Sequence, residues 1–343
     1  MKKCAVFMLC VLVVLAACDK KSTLEPDDTN GSEYNIDPDF TVNIYQPDSV
    51  CEGTTLLTDK HTGSPRLIEV NRHGEIVWEY EPTEEKVNVG AEVELLPNGH
   101  ILFTMTQSGI YEVDRSGNTV WSHEDPKVSH DADRLENGNT LYVFGANDEK
   151  LDAQVKEINS DGDLVWAWYA KDHFDYSPYS EIYNGGWTHV NAVTRMDNDH
   201  TLISIRNFNM IVEVDEDGNV VKKIEELAFH PHDPLILDTG NILVISQEPQ
   251  TNNQHRAIEI DYDTEEILWE YGFSDPYDWP TRDCNLLPNG NLLITTASRI
   301  VEVTRSKEVV WEFGLKDPTV LGELVSHANL GFYKAERITP VQN

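Results

Sequence analysis

The chain has 343 residues and a formal net charge of −34 at pH 7, which arises from 60 acidic and 26 basic residues. So acidic a surface excludes the nucleic-acid-binding class, because contacts to phosphate groups require clustered Lys and Arg. The length is large for one compact hydrophobic core but ordinary for a fold that is built from repeats.

The N-terminal residues resemble a targeting segment. Two lysines precede an apolar run that ends at Val14, which is short for a membrane-spanning helix, the alternative interpretation. Leu15-Ala16-Ala17-Cys18 then resembles the lipobox of bacterial lipoproteins, in which the cysteine is lipidated and becomes the new N-terminus. We predict a signal peptide over residues 1–17, a lipid anchor at Cys18 and a flexible tether over residues 18–38. The protein is then expected in the cell envelope, on the periplasmic or outer-membrane face.

Residues 39–343 contain a strand-like motif that recurs six times and usually ends in a Gly-containing turn. The copies are Ala91–Gly99, His130–Gly138, a degenerate one from His189 to Asp199, His232–Gly240, Arg282–Gly290 and a sixth that opens at His327. An Asn-Gly pair between apolar runs is a strong hairpin signal, because both central residues of the turn need a positive φ. A repeat of roughly 45 residues with several strands is typical of a propeller blade.

Three further β-rich runs follow most of these turns, and the last run usually ends in Val-Trp or Leu-Trp. The first blade lacks its leading strand, and the segment from His327 to Tyr333 lacks strands that follow it. Joining the two ends completes one blade and closes the ring without free sheet edges. We therefore predict an all-β, six-bladed propeller closed by a C-terminal strand. The recurring tryptophans are expected to pack between blades; they are Trp78, Trp121, Trp166, Trp269 and Trp311.

Polar residues open the repeats, at the strand ends that meet at one mouth of the central channel. This mouth is expected to collect His130 and Asp131, His189 and Asn191, His230 and His232, Arg282 and Asp283, His327, Glu92 and Arg206. A single histidine at a strand end is usually structural, but several at equivalent positions converge on one axis. Two fixed arginine charges oppose a bound cation. Histidine together with arginine suits a tetrahedral oxyanion such as sulfate or phosphate.

Two other residue patterns leave alternatives open. Cys51 and Cys284 fall in the first and last blades, where they form either a disulfide or two buried free thiols. The sequence has no CxxC pair and no HExxH motif, and we predict neither a metal site nor a cofactor.

Aromatic residues concentrate in two connections. The longer runs from Tyr169 to Thr188 and includes Trp187, and the shorter runs from Gly272 to Pro280. Long connections often bind ligands, and aromatic surfaces beside an anion site suit an aromatic ester. Packing within the connections themselves is the alternative.

Together, the His130-Asp131 head, the Trp187-Thr-His189-Val-Asn191 segment, Ser204-Ile-Arg206-Asn207 and the His232-Asp head resemble the bacterial arylsulfate sulfotransferase family, whose members do not use the PAPS cofactor. Members of this family carry a histidine that becomes transiently sulfated. The resemblance implies that His232 is the nucleophile and that His130, His189 and Arg206 hold the sulfuryl oxygens, with assistance from Asn191. His230, two residues earlier, is the alternative nucleophile. The remaining residues expected to contact substrate are Arg282, His327 and Trp187.

The resemblance implies a two-step sulfuryl transfer from an aryl sulfate to a phenol, in which a protonated histidine assists the leaving phenolate. A lipid-anchored binding or assembly scaffold without enzyme activity is the first alternative. A hydrolase or lyase that uses Asp131, Asp283 or Glu92 as acid or base is the second.

Overall fold

The computed structural model describes residues 36–82, 92–247, 255–322 and 330–340. Its strands, in chain order, are β1 (Phe40–Tyr45), β2 (Thr54–Asp59), β3 (Arg66–Val70), β4 (Ile76–Tyr80), β5 (Val93–Leu95), β6 (Ile101–Met105), β7 (Gly109–Val113), β8 (Thr119–Glu124), β9 (Ala132–Arg134), β10 (Thr140–Val143), β11 (Val155–Ile158), β12 (Leu164–Trp168), β13 (Val190–Arg195), β14 (Thr201–Ile205), β15 (Met210–Val214), β16 (Val220–Glu225), β17 (His232–Ile236), β18 (Ile242–Gln247), β19 (His255–Ile260), β20 (Ile267–Phe273), β21 (Thr281–Leu286), β22 (Leu292–Thr296), β23 (Arg299–Val303), β24 (Val309–Leu315) and β25 (Phe332–Ile338). One short helix, α1 (Lys171–Phe174), and four 3-10 turns at Tyr179–Glu181, Arg206–Phe208, Pro276–Asp278 and Pro318–Leu321 complete the described elements.

The strands form six antiparallel sheets, one for each blade of a propeller, as the sequence predicts. Blades two to five are β5–β8, β9–β12, β13–β16 and β17–β20, each in sequence order from the inner strand outwards. Blade six contains β21–β24, and blade one combines β25 with β2, β3 and β4. The middle strands are buried on both faces, so their apolar residues form the cores between blades.

Both ends of the described propeller are built into its sheets. β25 pairs antiparallel with β2, which confirms that a C-terminal strand completes the first blade. β1 is a feature that the repeat pattern does not predict: it pairs with β24 and adds a fifth strand to blade six. Because β1 covers this edge, Val310 and Trp311 are fully buried. Asp37, just before β1, forms an ion pair with Arg66 of blade one.

The recurring tryptophans join neighbouring blades, as expected from their spacing. Each donates its indole N–H to a backbone carbonyl in a turn of the next blade, at 2.9–3.1 Å; the pairs are Trp78–Arg115, Trp121–Ser160, Trp166–Glu216, Trp269–Arg305 and Trp311–Arg72. Blade four has Lys222 near the corresponding position. Its ammonium lies 4.5 Å from the Tyr262 ring and 3.3 Å from Glu265 Oε1 of blade five.

The degenerate turn of blade four keeps the backbone geometry of the others. Gly99, Gly138, Gly240 and Gly290 have φ between 83° and 85°, and Asp199 takes their place with φ 64°. Aspartate is one of the few other residues that tolerate this left-handed region, because its short side chain bonds locally. The hairpin therefore survives the loss of glycine.

The two cysteines within the described residues are free thiols. Cys51 and Cys284 are both buried, and they belong to different hydrophobic clusters. The sequence left open a disulfide between them or two buried free thiols, and the structure has the two free thiols. No described helix is long and apolar enough to cross a membrane, and Cys18 lies outside the described residues.

Candidate functional site

A cavity of about 370 Å³ opens where the inner strands of the blades begin. Its described lining residues are Thr106, Gln107, His130, Ala146, Asn147, His189, Asn191, Arg206, His232, Gln247, Trp279, Pro280, Arg282 and Tyr333. In a protein with 60 acidic residues, this lining contains two arginines and no described carboxylate. The cavity therefore suits an anion.

His130 and His189 form a hydrogen-bonded pair in the cavity wall. Their Nε2 atoms lie 3.1 Å apart, and the rings stack with centroids at 5.1 Å. His189 Nδ1 lies 2.8 Å from the Gly185 carbonyl oxygen, so Nδ1 carries the proton and the unprotonated Nε2 carries a lone pair. His130 must then donate its Nε2–H to that lone pair. Its Nδ1 is buried and has no hydrogen-bond partner among the described residues.

His232 presents a neutral imidazole to the same cavity. The residue begins β17 and is 8% exposed, and its ring makes no hydrogen bond with a described residue. Pro231 and Pro234 flank this part of the strand, and the pairing with β18 shifts between His232 and Leu235. The irregular strand start turns away from regular pairing at the point where the side chain meets the cavity.

The histidines of the cavity are all held in their neutral forms. Burial lowers the pKa of His130 to about 3, and the charges of Arg206 and Arg282 add to this effect. Burial, followed by the neighbouring His130 and the charges of Arg206 and Arg282, lowers the pKa of His232 well below its ordinary value. Burial and the neighbouring His130 do the same to His189. The resemblance implies a protonated histidine that assists the leaving phenolate, but the resting protein has no such imidazolium among these histidines. The His130 Nε2–H is a neutral hydrogen-bond donor instead.

Arg206 and Arg282 supply the positive charge of the cavity. Arg206 follows β14 in a 3-10 turn and donates from Nη1 to the side-chain oxygen of Asn207 at 2.9 Å. Arg282 lies in β21, donates to the Phe332 carbonyl and stands 4.7 Å from the centre of the Tyr333 ring. Burial lowers the pKa of Arg282 to about 10, which still leaves it charged at neutral pH.

Asn191 is oriented as a hydrogen-bond acceptor. Its Nδ2 donates to the Pro231 carbonyl at 2.9 Å, so Oδ1 faces the other way. Oδ1 is buried and lacks a partner among the described residues. In the resting protein Asn191 therefore offers a lone pair, whereas the binding of a sulfuryl oxygen requires an N–H donor.

Two of the residues expected at the site, Trp187 and His230, have other positions. Trp187 is 1% exposed in the hydrophobic core, where its indole donates to the Tyr179 carbonyl, so it does not line the cavity. The His230 ring packs against Phe229 in a tilted arrangement, with ring centroids 4.3 Å apart, and His230 is also absent from the cavity wall. His327 lies outside the described residues.

The aromatic connections divide between core and cavity. Phe174 and Tyr179 of the longer connection pack against Phe208. These aromatic residues therefore pack with one another instead of binding a ligand, which is the alternative given above. From the shorter connection, Trp279 and Pro280 do line the cavity. The aromatic surface near the anion site is thus provided by the connection between blades five and six.

Below the cavity, the inner strands carry carboxylates around a single lysine. Lys334 Nζ lies 2.8 Å from Glu92 and 3.4 Å from Asp131, and it also pairs with Asp233. Burial opposes the charge on Lys334, but these carboxylates raise its pKa well above the ordinary value. Burial and the charge of Asp233 raise the pKa of Asp283.

Five carboxylates of the inner strands join neighbouring blades through the backbone, whereas Glu92 pairs with Lys334. Each accepts an N–H from the inner strand of the next blade, at 2.7–3.4 Å; the pairs are Asp131–Val193, Asp233–Cys284, Asp283–Ala335, Glu336–Leu95 and Glu94–Arg134. Asp131, Asp283 and Glu92 are thus engaged in structural contacts, which disfavours the hydrolase alternative. No group of three His, Cys, Asp or Glu side chains in the described part of the chain has the geometry of a metal site.

Sequence reasoning missed Tyr333 and Lys334. They lie in β25, after which the described residues contain no hairpin turn, so alignment on the turns did not place them. Alternation was the available signal: in Phe332-Tyr-Lys-Ala-Glu336 the polar residues recur as they do in the other inner strands.

Solved structures share the fold at low sequence identity. A protein of unknown function from Bacteroides caccae matches with a TM-score of 0.57 and 18% identity, over 79% of this chain and 96% of that one. A streptogramin B lyase matches with a TM-score of 0.50 and 14% identity, over 81% and 88%. The virginiamycin B lyase from Staphylococcus aureus has a TM-score of 0.50 and 12% identity, over 82% and 91%. At these identities the likeness concerns the fold alone. No curated protein matches the sequence.

The sequence itself matches a family model. The arylsulfotransferase (ASST) model covers residues 41–224, more than half of the chain. This range includes His130, His189, Asn191 and Arg206, and it ends before His232. The chain therefore belongs to the arylsulfotransferase (ASST) family.

Proposed function

We propose that the protein transfers a sulfuryl group from a phenolic sulfate ester to a phenolic acceptor through a sulfohistidine at His232. The observation that carries this proposal is the cavity itself. Neutral imidazoles converge there with two arginines, and the described lining contains no carboxylate. A neutral histidine is nucleophilic, and the positive charges of the arginines stabilise the negative charge on the sulfuryl oxygens in the transition state.

In the first step, a ring nitrogen of His232 attacks the sulfur of the donor. The bond between sulfur and the aryl oxygen breaks, and its electron pair remains on the phenolate. The second ring nitrogen of His232 then loses its proton to solvent, and the departing phenolate takes up a proton from solvent, so the products of this step are a neutral sulfohistidine and a phenol. Arg206 and Arg282 stabilise the sulfuryl oxygens. The His130 Nε2–H donates to the His189 Nε2 lone pair in the resting protein; when the donor binds, it turns to an oxygen of the reacting group and frees that lone pair.

In the second step, a phenol occupies the place of the first product. Its hydroxyl oxygen attacks sulfur while its proton passes to the Nε2 lone pair of His189, and the bond between nitrogen and sulfur breaks. That proton later returns to the ring of His232, which restores the resting protein. Positioning and charge stabilisation are sufficient for such a transfer, as in phosphoryl transfer.

The aromatic rings of donor and acceptor are assigned to the wall formed by Trp279, Pro280 and Tyr333. Aromatic side chains bind such rings by offset or edge contacts. Membrane attachment through a lipid on Cys18, with an envelope location, is also part of the proposal and rests on the lipobox resemblance.

The test is intact-mass spectrometry after brief exposure to a chromogenic aryl sulfate without acceptor. We expect one added sulfuryl group, which is lost when phenol is added and does not form in His232→Ala. His230→Ala is the matched control, because His230 lies two residues away but outside the cavity wall, and it should retain the adduct. An adduct that still forms in His232→Ala would show that a residue other than His232 is the nucleophile. A folded wild-type protein that forms no adduct with several aryl sulfates would favour the scaffold alternative.

A further inference from the structure

Asp148 lies outside the cavity wall, yet its carboxylate holds the backbone that carries His189. It is fully buried and accepts the N–H groups of Thr188 at 3.2 Å and His189 at 3.1 Å. The Thr188 hydroxyl donates at 2.7 Å and Gln154 Nε2 at 3.1 Å. Four donors on one buried carboxylate fix its position and that of the groups around it.

The backbone held in this way is strained. His189 has φ 50°, in the left-handed region that few residues other than glycine adopt. The preceding Gly185 and Gly186 also have positive φ. A Cβ added to Gly186 would lie 2.4 Å from Asp148 Oδ1, so the carboxylate packs directly against the glycine backbone. The loop keeps this conformation because the surrounding contacts over-determine it.

The same contacts fix the Gly185 carbonyl, on which the protonation of His189 depends. This oxygen accepts the backbone N–H of Asn147 at 2.7 Å and the His189 Nδ1–H at 2.8 Å. In return, the backbone carbonyl of Asp148 accepts the N–H of Trp187 at 2.9 Å. The turn around Asp148 and the loop before His189 therefore interlock. A displaced Gly185 carbonyl would no longer select the Nδ1–H tautomer.

We propose that Asp148 is a positioning residue, which keeps His189 in the Nδ1–H tautomer and thereby leaves the Nε2 lone pair as the base for the acceptor hydroxyl. The catalytic consequence rests on the proposed sulfuryl transfer. The tautomer itself is a property of the resting protein, so it is measurable without any substrate.

Asp148→Asn tests this role because it keeps the shape of the side chain but replaces one acceptor oxygen by an N–H donor. That donor would face Thr188 or Gln154, which also donate, so the network must rearrange. In ¹⁵N-histidine NMR spectra, we expect the wild type to show His189 protonated on Nδ1 and the variant to show a substantial Nε2–H population. Decay of the isolated sulfohistidine on addition of phenol should slow by about 10- to 100-fold.

Asp172→Asn is the control, since Asp172 is an exposed residue of the neighbouring helix α1, and both readouts should match the wild type. Circular dichroism and thermal melting establish that each variant is folded. If Asp148→Asn does not fold, Thr188→Val removes one of the four donors and should shift the tautomer in the same direction by a smaller amount.

A folded Asp148→Asn variant, or the substitute Thr188→Val, with an unchanged His189 tautomer would overturn the inference, even in a fully active enzyme. The failure of the proposed function is distinguishable from this result. In that case the wild type would form no sulfohistidine, whereas the tautomer of His189 would still respond to Asp148→Asn.

Discussion

The two halves of the propeller channel are built from the same inner strands but differ in how their polar groups are satisfied. At the mouth, His130 Nδ1 and Asn191 Oδ1 have no partner among the described residues, and the ring of His232 makes no hydrogen bond there. One residue further along these strands, the carboxylates of Asp131 and Asp233 bond the next blade and pair with Lys334. Unpaired polar groups cost free energy, which indicates a site kept for a ligand; the paired groups hold the ring together.

Lys334→Met is the substitution that should separate the halves most strongly, through stability. It leaves Glu92, Asp131 and Asp233 buried without their cation, and breaking a buried ion pair costs about 3–5 kcal/mol. Lys150→Met is the control, because it removes a surface pair with Asp175 that contributes roughly 0–1 kcal/mol. Urea denaturation of both variants at pH 7.5 measures the difference in the free energy of unfolding.

The pH dependence of the Lys334→Met variant sharpens this prediction. Burial raises the pKa of Glu92 above its ordinary value, and the charge of Lys334 opposes that rise. Without the lysine, the folded-state pKa of Glu92 should lie still further above its unfolded value. A buried carboxyl with a raised pKa makes the folded protein less stable as pH rises through the folded-state pKa. The free energy of unfolding of the variant should therefore recover, relative to the wild type, when pH is lowered from 7.5 to 5. A deficit that is equal at both pH values would contradict the assignment of Lys334 as the cation of the lower half.

Arg206→Met should act at the mouth, through the reaction. Removing one donor to the developing charge is expected to slow sulfohistidine formation by about 10²–10³-fold, with little change in the melting temperature. Arg195→Met is the matched control: Arg195 pairs with Glu157 between blades and should affect the melting temperature more than the rate. Stopped-flow release of the chromogenic phenol gives the rate. Equal losses of rate in the two variants would contradict the assignment of Arg206 to the reaction and of Arg195 to the contact between blades.

The smallest effect is expected for pH, because the histidines are already neutral. A nucleophile with the ordinary histidine pKa of about 6.5 would lose roughly tenfold in rate between pH 7.5 and pH 5.5. Burial and the neighbouring charges hold the pKa of His232 well below that value, so kcat/KM should change by less than about twofold over this range. A titration midpoint near 6.5 would show that the imidazole is less buried than in the structure.

The sequence predicted the ring and several of its site residues for a clear physical reason. The repeated turn places equivalent residues at equivalent depths, so the spacing alone assigns His130, His189, His232 and Arg282 to one mouth, and all four line the cavity there. The same argument failed where no turn was present to align, as for Tyr333. It also failed for Trp187, because an aromatic residue in a long connection packs into the core as readily as it binds a ligand.

The periodic pattern of apolar residues and turns thus determined the number of blades, the closure by the C-terminal strand and the residues at the heads of the blades, since these depend on local backbone preferences. The tertiary structure decided which polar groups are paired. The separation of free thiols, the strand β1 on blade six, the orientation of Asn191 and the tautomer of His189 all depend on groups that are distant in the chain. Hydrogen bonds between distant groups are set by the packing of the blades, and no local pattern in the sequence encodes them.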